Sequence, residues 1–145
     1  MKLIIDQSLE NGEVEITIKC GLIDERLERL IEQIRLYSFA LSGRKDGESH
    51  VLRPEDICYF ESVDERTYAY CMEEVYECGQ RLYELERMLG EGSFVRVSKA
   101  TILNTAYLKS VKALLNGKLE GTLKNGERIV ISRHYVAELK DRLGL

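Results

Sequence analysis

The chain has little of what membrane, metal and nucleotide chemistry require. No apolar run approaches the ~20 residues needed to cross a bilayer. Asp6 cuts the run Met1-Lys2-Leu3-Ile4-Ile5 too short for a signal peptide, so a cytoplasmic location is expected. The four cysteines stand at 20, 58, 71 and 78, and no two form Cys-x-x-Cys. Only His50 and His134 could assist them, and that spacing speaks against a zinc site. Cys58, Cys71 and Cys78 lie in apolar or strand-like stretches, as free thiols packed like small apolar residues would. No glycine-rich phosphate loop is present: the glycines at 90, 92, 117, 121 and 126 read as turn residues. Neither histidine has a nucleophile at a telling spacing, and Glu73-Glu74 or Glu84 and Glu86 read as solvated faces. With no catalytic set complete, neither enzyme activity nor a cofactor nor a metal is expected.

What is present fits one domain, or one domain with an extension. The chain has 145 residues, 44% hydrophobic and 32% charged, enough for an ordinary core with a soluble surface. Its formal net charge of −4 conceals an asymmetry. Residues 1–91 carry 11 Lys and Arg against 21 Asp and Glu, whereas residues 92–145 carry 10 against 4. An acidic protein is a poor partner for nucleic acid, but a basic C-terminal third reopens that class.

Along the chain, Leu3-Ile4-Ile5 and the alternating Val14, Ile16 and Ile18 read as two strands joined at Asn11-Gly12. Asp24 can cap a helix running to about Tyr37, with Leu27, Leu30, Ile31 and Ile34 on one face. The polar stretch Ser42–Glu48 reads as a boundary, giving a β-β-α extension over residues 1–45 and a second unit over 46–145. That unit is expected to be mostly β, built of short antiparallel strands with two short helices. Ile57–Glu61, Tyr68–Cys71 and Val75–Cys78 read as strands, with a polar loop from Ser62 to Thr67. Gln80–Leu89 has helical period. Asn116-Gly117 and Asn125-Gly126 divide residues 108–131 into a three-strand meander, and Ser132 opens a last helix.

The stretch Phe94-Val95-Arg96-Val97-Ser98-Lys99-Ala100-Thr101-Ile102-Leu103-Asn104 organises this unit. Phe94, Arg96 and Ser98 fall on one strand face, Val95 and Val97 on the other. Ser98, Lys99 and Thr101 then sit in a break, where short polar groups and a Lys can meet phosphate or base edges, or simply solvent. Together with Ile57-Cys58-Tyr59-Phe60-Glu61 upstream and Ile131-Ser132-Arg133-His134-Tyr135 downstream, this pattern closely resembles the LytTR family of bacterial DNA-binding domains over residues 46–145. The resemblance implies a mostly β domain that places loops, rather than a recognition helix, in successive major grooves of promoter DNA. It implies base contacts from three places. These are the loop Asp64, Glu65, Arg66 and Thr67, the strand end at Ser98 and Lys99 (with Thr101 beside it), and Arg133. The commonest family pattern has His followed by Arg or Asn where this chain has Ser98 and Lys99, which bears on the target sequence. Asn104 reads as a backbone-bonding residue, and Tyr59, Phe60 and Phe94 as core.

Most members of that family carry a receiver domain, and residues 1–45 are too short to be one. The resemblance therefore implies a stand-alone transcriptional regulator binding paired repeats, with a small membrane protein as a possible controlling partner. A β-β-α unit this small cannot bury the apolar face of its helix alone. The face must pack on the same chain or on a second copy, and a homodimer is expected. The competing reading is a protein-interaction module of the same fold that has lost DNA binding, for which the acidic first 91 residues speak.

Overall fold

The computed structural model describes residues 1–12, 14–37, 40–90 and 92–145. Three helices and ten strands follow the order α1 (Glu25–Tyr37), β1 (Leu41–Lys45), β2 (Glu48–Leu52), β3 (Ile57–Val63), β4 (Arg66–Cys71), β5 (Val75–Cys78), α2 (Leu82–Leu89), β6 (Phe94–Ser98), β7 (Thr101–Asn104), β8 (Leu108–Ala113), β9 (Leu119–Leu123), β10 (Arg128–Ile131) and α3 (Arg133–Leu143). The mostly β class with two short helices after residue 46 is as expected. Among the described residues no helix is long and apolar enough to cross a membrane.

Seven strands form one antiparallel sheet in the order β2-β1-β5-β4-β3-β7-β6, and β8, β9 and β10 form a second as a meander. The large sheet is covered on both faces. On one face α2 lowers Leu82, Leu85 and Leu89 onto Leu41, Ile57, Phe60, Ala69, Phe94 and Ile102. On the other, Leu119, Leu123 and Ile131 of the small sheet and Leu139 of α3 meet Cys58, Tyr59, Val95, Val97 and Leu103. The alternation along β6 follows from this: Phe94 points to one core, Val95 and Val97 to the other. A register shift between Ile57 and Tyr59 lets the consecutive Cys58 and Tyr59 serve the same face. Tyr59 and Tyr70 stack there, with ring centroids 4.4 Å apart. A fully buried Leu or Phe at such positions stabilises by roughly 1.5–3 kcal/mol.

Asn104 ties the end of β7 to β3 and to the turn that follows it, as its sequence position suggested. It is 1% exposed, donates from Nδ2 to the Ile57 carbonyl at 2.9 Å, and accepts from the Ala106 N–H at 3.1 Å.

Three expectations need correction. The strands over residues 1–20 are absent among the described residues: the segment carries no helix or strand and is exposed, with a turn closed by Asn11 N–H to the Ser8 carbonyl. An alternating pattern makes a strand only when a neighbour supplies the ladder, and none lies beside it. The polar stretch read as a boundary is instead a hairpin of the large sheet, with Lys45 opposite Glu48 around Asp46-Gly47. Both turn residues have left-handed φ, 52° and 76°, the signature of a two-residue hairpin turn. β1 needs glycine at position 43, where a Cβ would lie 2.6 Å from Leu52 Cδ1 and 2.7 Å from Tyr76 Cβ. Finally, the loop expected from Ser62 to Thr67 is only the turn Asp64-Glu65, because β3 and β4 pair through Val63 and Arg66.

α1 forms where expected, and Asp24 Oδ1 accepts from Leu27 N–H at 2.8 Å as its cap. Its apolar face is partly covered: Leu27, Ile31 and Ile34 are half-buried, and Leu30 is exposed. A cleft of about 790 Å³, lined by Ile31, Arg35, Met88 and Arg142 among others, separates α1 from the ends of α2 and α3.

Candidate nucleic-acid interface

β3 runs antiparallel to both β4 and β7, so the β3–β4 turn and the β6–β7 turn lie at one end of the sheet. The Ser62 N–H donates to the Ala100 carbonyl at 2.8 Å and locks the two turns side by side. The Ser132 N–H donates to the Val97 carbonyl at 2.9 Å, which brings the start of α3 to the same end. At the far end of α3, Arg142 Nη1 donates to the Gly92 carbonyl at 2.7 Å, so the helix is held along β6 at both ends. The β8–β9 turn joins this group. Gly117 lies under Arg133, whose Cδ would stand 3.1 Å from a Cβ at that position. Asn116 and Gly117 adopt left-handed φ of 63° and 75°, as an Asn-Gly hairpin turn allows.

Within this end, the β6–β7 turn is braced from inside. Ser98 pairs with Thr101, leaving Lys99 and Ala100 as the turn residues. Ser98 Oγ accepts from the Ala100 N–H at 3.2 Å, so its hydroxyl is engaged in the turn. Arg96 donates from Nε to the Ser98 carbonyl at 2.8 Å and from Nη2 to the Lys99 carbonyl, while Nη1 reaches Glu86 Oε2 of α2 at 2.7 Å. The backbone on either side of Lys99 is thus fixed, and its side chain extends outward. Lys99, Lys118 and Arg133 are all exposed, and none of the three side chains has a partner among the described residues. An unpaired cation in the first turn of α3 works against the helix dipole, a small cost that a bound anion would remove.

Not every residue expected at this surface reaches it. Thr67 and Thr101 are 5% and 7% exposed, so their side chains face protein, and their strand pairing explains why. Arg66 is exposed but faces Glu77 of β5 at 3.9 Å, rather than the neighbouring Asp64 or Glu65. Asp64 and Glu65 occupy the turn beside Lys99 with φ of 51° and 64°. The structure brings Ser98, Lys99 and Arg133 together and adds two residues that the sequence reading missed. Arg96 looked like a face residue of a strand, and nothing in the linear pattern shows that it spans the turn. Lys118 was hidden as the flank of an Asn-Gly pair, although a cation beside a turn glycine was a usable signal.

Comparison with known proteins agrees with this architecture. Residues 47–144 match the model of the LytTr DNA-binding domain. A Staphylococcus aureus MSSA476 protein described as an uncharacterized HTH-type transcriptional regulator is 27% identical over 147 residues, covering 100% of this chain and 99% of that one. The counterpart in S. aureus strain MRSA252 is 26% identical with the same coverage. Among solved structures, a LytTr DNA-binding domain of a methyl-accepting/DNA response regulator from Bacillus cereus superposes with a TM-score of 0.69 at 23% identity, over 73% of this chain and 97% of that one. The fold is therefore that of a mostly β domain class, two antiparallel sheets packed with three helices. Within that class, the chain belongs to the LytTr DNA-binding domain family.

The helix-turn-helix in the relatives' description has no counterpart here among the described residues. Five strands separate α1 from α2, and five more separate α2 from α3, so no two helices are consecutive.

Proposed function

We propose that this chain is a sequence-specific DNA-binding transcriptional regulator that reads the major groove with turns. Lys99 and Arg133 donate to base edges. Ser98 positions the turn, and Lys118 meets the phosphate backbone beside Arg133. The observation that carries this reading is the placement of three exposed cations, without partners among the described residues, on the β6–β7 turn, the β8–β9 turn and the start of α3, at one end of a protein whose first 91 residues are acidic. Lys and Arg are suited to the O6 and N7 acceptors of guanine. Thr67 and Thr101 are left out because their side chains are buried, and Arg66 takes a peripheral place because Glu77 competes for it. Two copies acting on paired sites would raise the effective concentration of the second contact.

Binding to the DNA upstream of the chain's own operon, measured against salt, tests the proposal. Log K should fall with log salt at about 0.9 per phosphate contacted, with a handful of contacts. Absence of binding at low salt on every such fragment would leave the protein-interaction module as the better reading. A small membrane protein as the source of control is a further part of the proposal, testable by co-purification from detergent-solubilised membranes.

A further inference from the structure

Residues 14–20 carry no helix or strand, and all of them are exposed. Val14 is 84% exposed, Ile16 57% and Ile18 39%, and Cys20 is exposed as well. Among the described residues, none of its backbone groups has a hydrogen-bond partner. Alternation puts Val14, Ile16, Ile18 and Cys20 on one face and Glu15, Thr17 and Lys19 on the other. A row of unpaired amides with an apolar face is a template for another strand.

We infer that residues 14–20 pair antiparallel with the same segment of a second copy, about a two-fold axis through Thr17. The sequence itself selects this partner. In that register Ile16 faces Ile18 of the second copy and Val14 faces Cys20, all on the apolar side. On the polar side Glu15 faces Lys19, and by symmetry Lys19 faces Glu15. Moving the axis by half a residue places Glu15 opposite Ile18 and loses both matches at once. The contact is isologous, as a closed dimer requires. A two-stranded ribbon alone is marginal in water. Each chain can thicken it from its own N-terminus. The turn at Ser8–Asn11 lets Leu3–Ile5 fold back with Ile5 beside Val14 and Leu3 beside Ile16, giving four strands. The exposed Leu30 of α1, which follows shortly on the chain, is available to cover the apolar side.

This inference gives a structural basis to the two-copy part of the proposed function, but its test needs no DNA. Sedimentation equilibrium of the full chain at micromolar concentration should show a dimer. Glu15→Lys and Lys19→Glu each replace two attractive cross-strand pairs by two repulsive ones, and each should weaken dimerisation about tenfold. An equimolar mixture of the two variants, and separately the double variant E15K/K19E, should recover the dimer, because opposite charges again face each other in both. A monomeric unaltered protein would overturn the inference, whether the arm is solvated or folded onto its own chain. So would dimers insensitive to either single change, or single-variant losses that neither the mixture nor the double variant restores. DNA affinity measured on the same proteins separates this outcome from failure of the regulatory reading.

Discussion

Arg96 and Glu86 meet at 2.7 Å across the space between β6 and α2, and the same guanidinium holds the carbonyls of Ser98 and Lys99. A side chain on the strand face towards α2 thereby sets the shape of the turn beyond the strand end. Arg96→Lys keeps the charge but loses the planar fork that spans three acceptors. The variant should remain folded by circular dichroism and lose about 1.5–3 kcal/mol of specific DNA affinity, the scale of a hydrogen bond to a charged donor. Anisotropy titration with an operator fragment measures it. Unchanged affinity would show that the turn holds its shape without the brace.

Lys99→Ala and Arg133→Ala should each cost ~1–3 kcal/mol on the preferred site and reduce discrimination between sites. Lys109 and Lys124 supply the control. They lie towards the Asn125-Gly126 turn, at the opposite end of the small sheet from Gly117. Their alanine variants should bind nearly as the unaltered protein does, on all sequences. Footprinting of the four variants would decide the matter, and normal protection by a folded Arg133→Ala would remove that residue from the reading surface.

Lys118→Ala separates positioning from reading. If this cation meets a phosphate, its loss should weaken binding uniformly across sequences and reduce the salt slope by about one. A change in sequence preference instead would assign Lys118 a base contact.

Asn104→Ala tests the tie between β3 and the end of β7. It strands the buried Ile57 carbonyl, and loss of a buried group's partner costs about 1–3 kcal/mol; the Ala106 N–H, at an exposed residue, adds less. Chemical denaturation should show a lower midpoint with an unchanged slope.

The core thiols predict an alkaline limit. Burial raises Cys58 and Cys78 from 9.0 to about 11, and burial likewise raises Tyr59, Tyr70 and Tyr107. The folded state therefore favours the protonated forms. The stability linked to the two thiols is complete below pH 9 and falls as pH rises through about 11. The melting temperature should decline across that interval. Below it, iodoacetamide should label the exposed Cys20 well before the buried Cys58 and Cys78. A melting temperature that stays level from pH 9 to 11 would contradict the burial argument.

Elements with a strong local signal were readable from residue order alone. The helix at Glu25–Tyr37 announced itself through Asp24 and a 3.6-residue apolar period, and the meander through two Asn-Gly pairs. Asp46-Gly47 is the same kind of signal, but the surrounding polar residues of an edge hairpin hid it. The strands expected over residues 1–20 illustrate the opposite case: the pattern is present but the pairing partner is missing. At the candidate site, Lys99 and Arg133 were legible through motif order. The burial of Thr67 and Thr101 was not, because it depends on how far each hairpin ladder extends towards its turn. The roles of Arg96 and Lys118 depend on chain reversals that bring distant positions together, which spacing does not encode.

The bonds from Ser62 to Ala100 and from Ser132 to Val97 leave the β3–β4 turn, the β6–β7 turn and the start of α3 with little freedom to adjust. Their ordering cost is therefore met when the domain folds and need not be met again at the duplex. On the proposed reading, adaptation falls to the other partner. A rigid, multi-pronged surface selects sequences whose grooves open or bend cheaply, so base pairs that no side chain touches should also influence affinity.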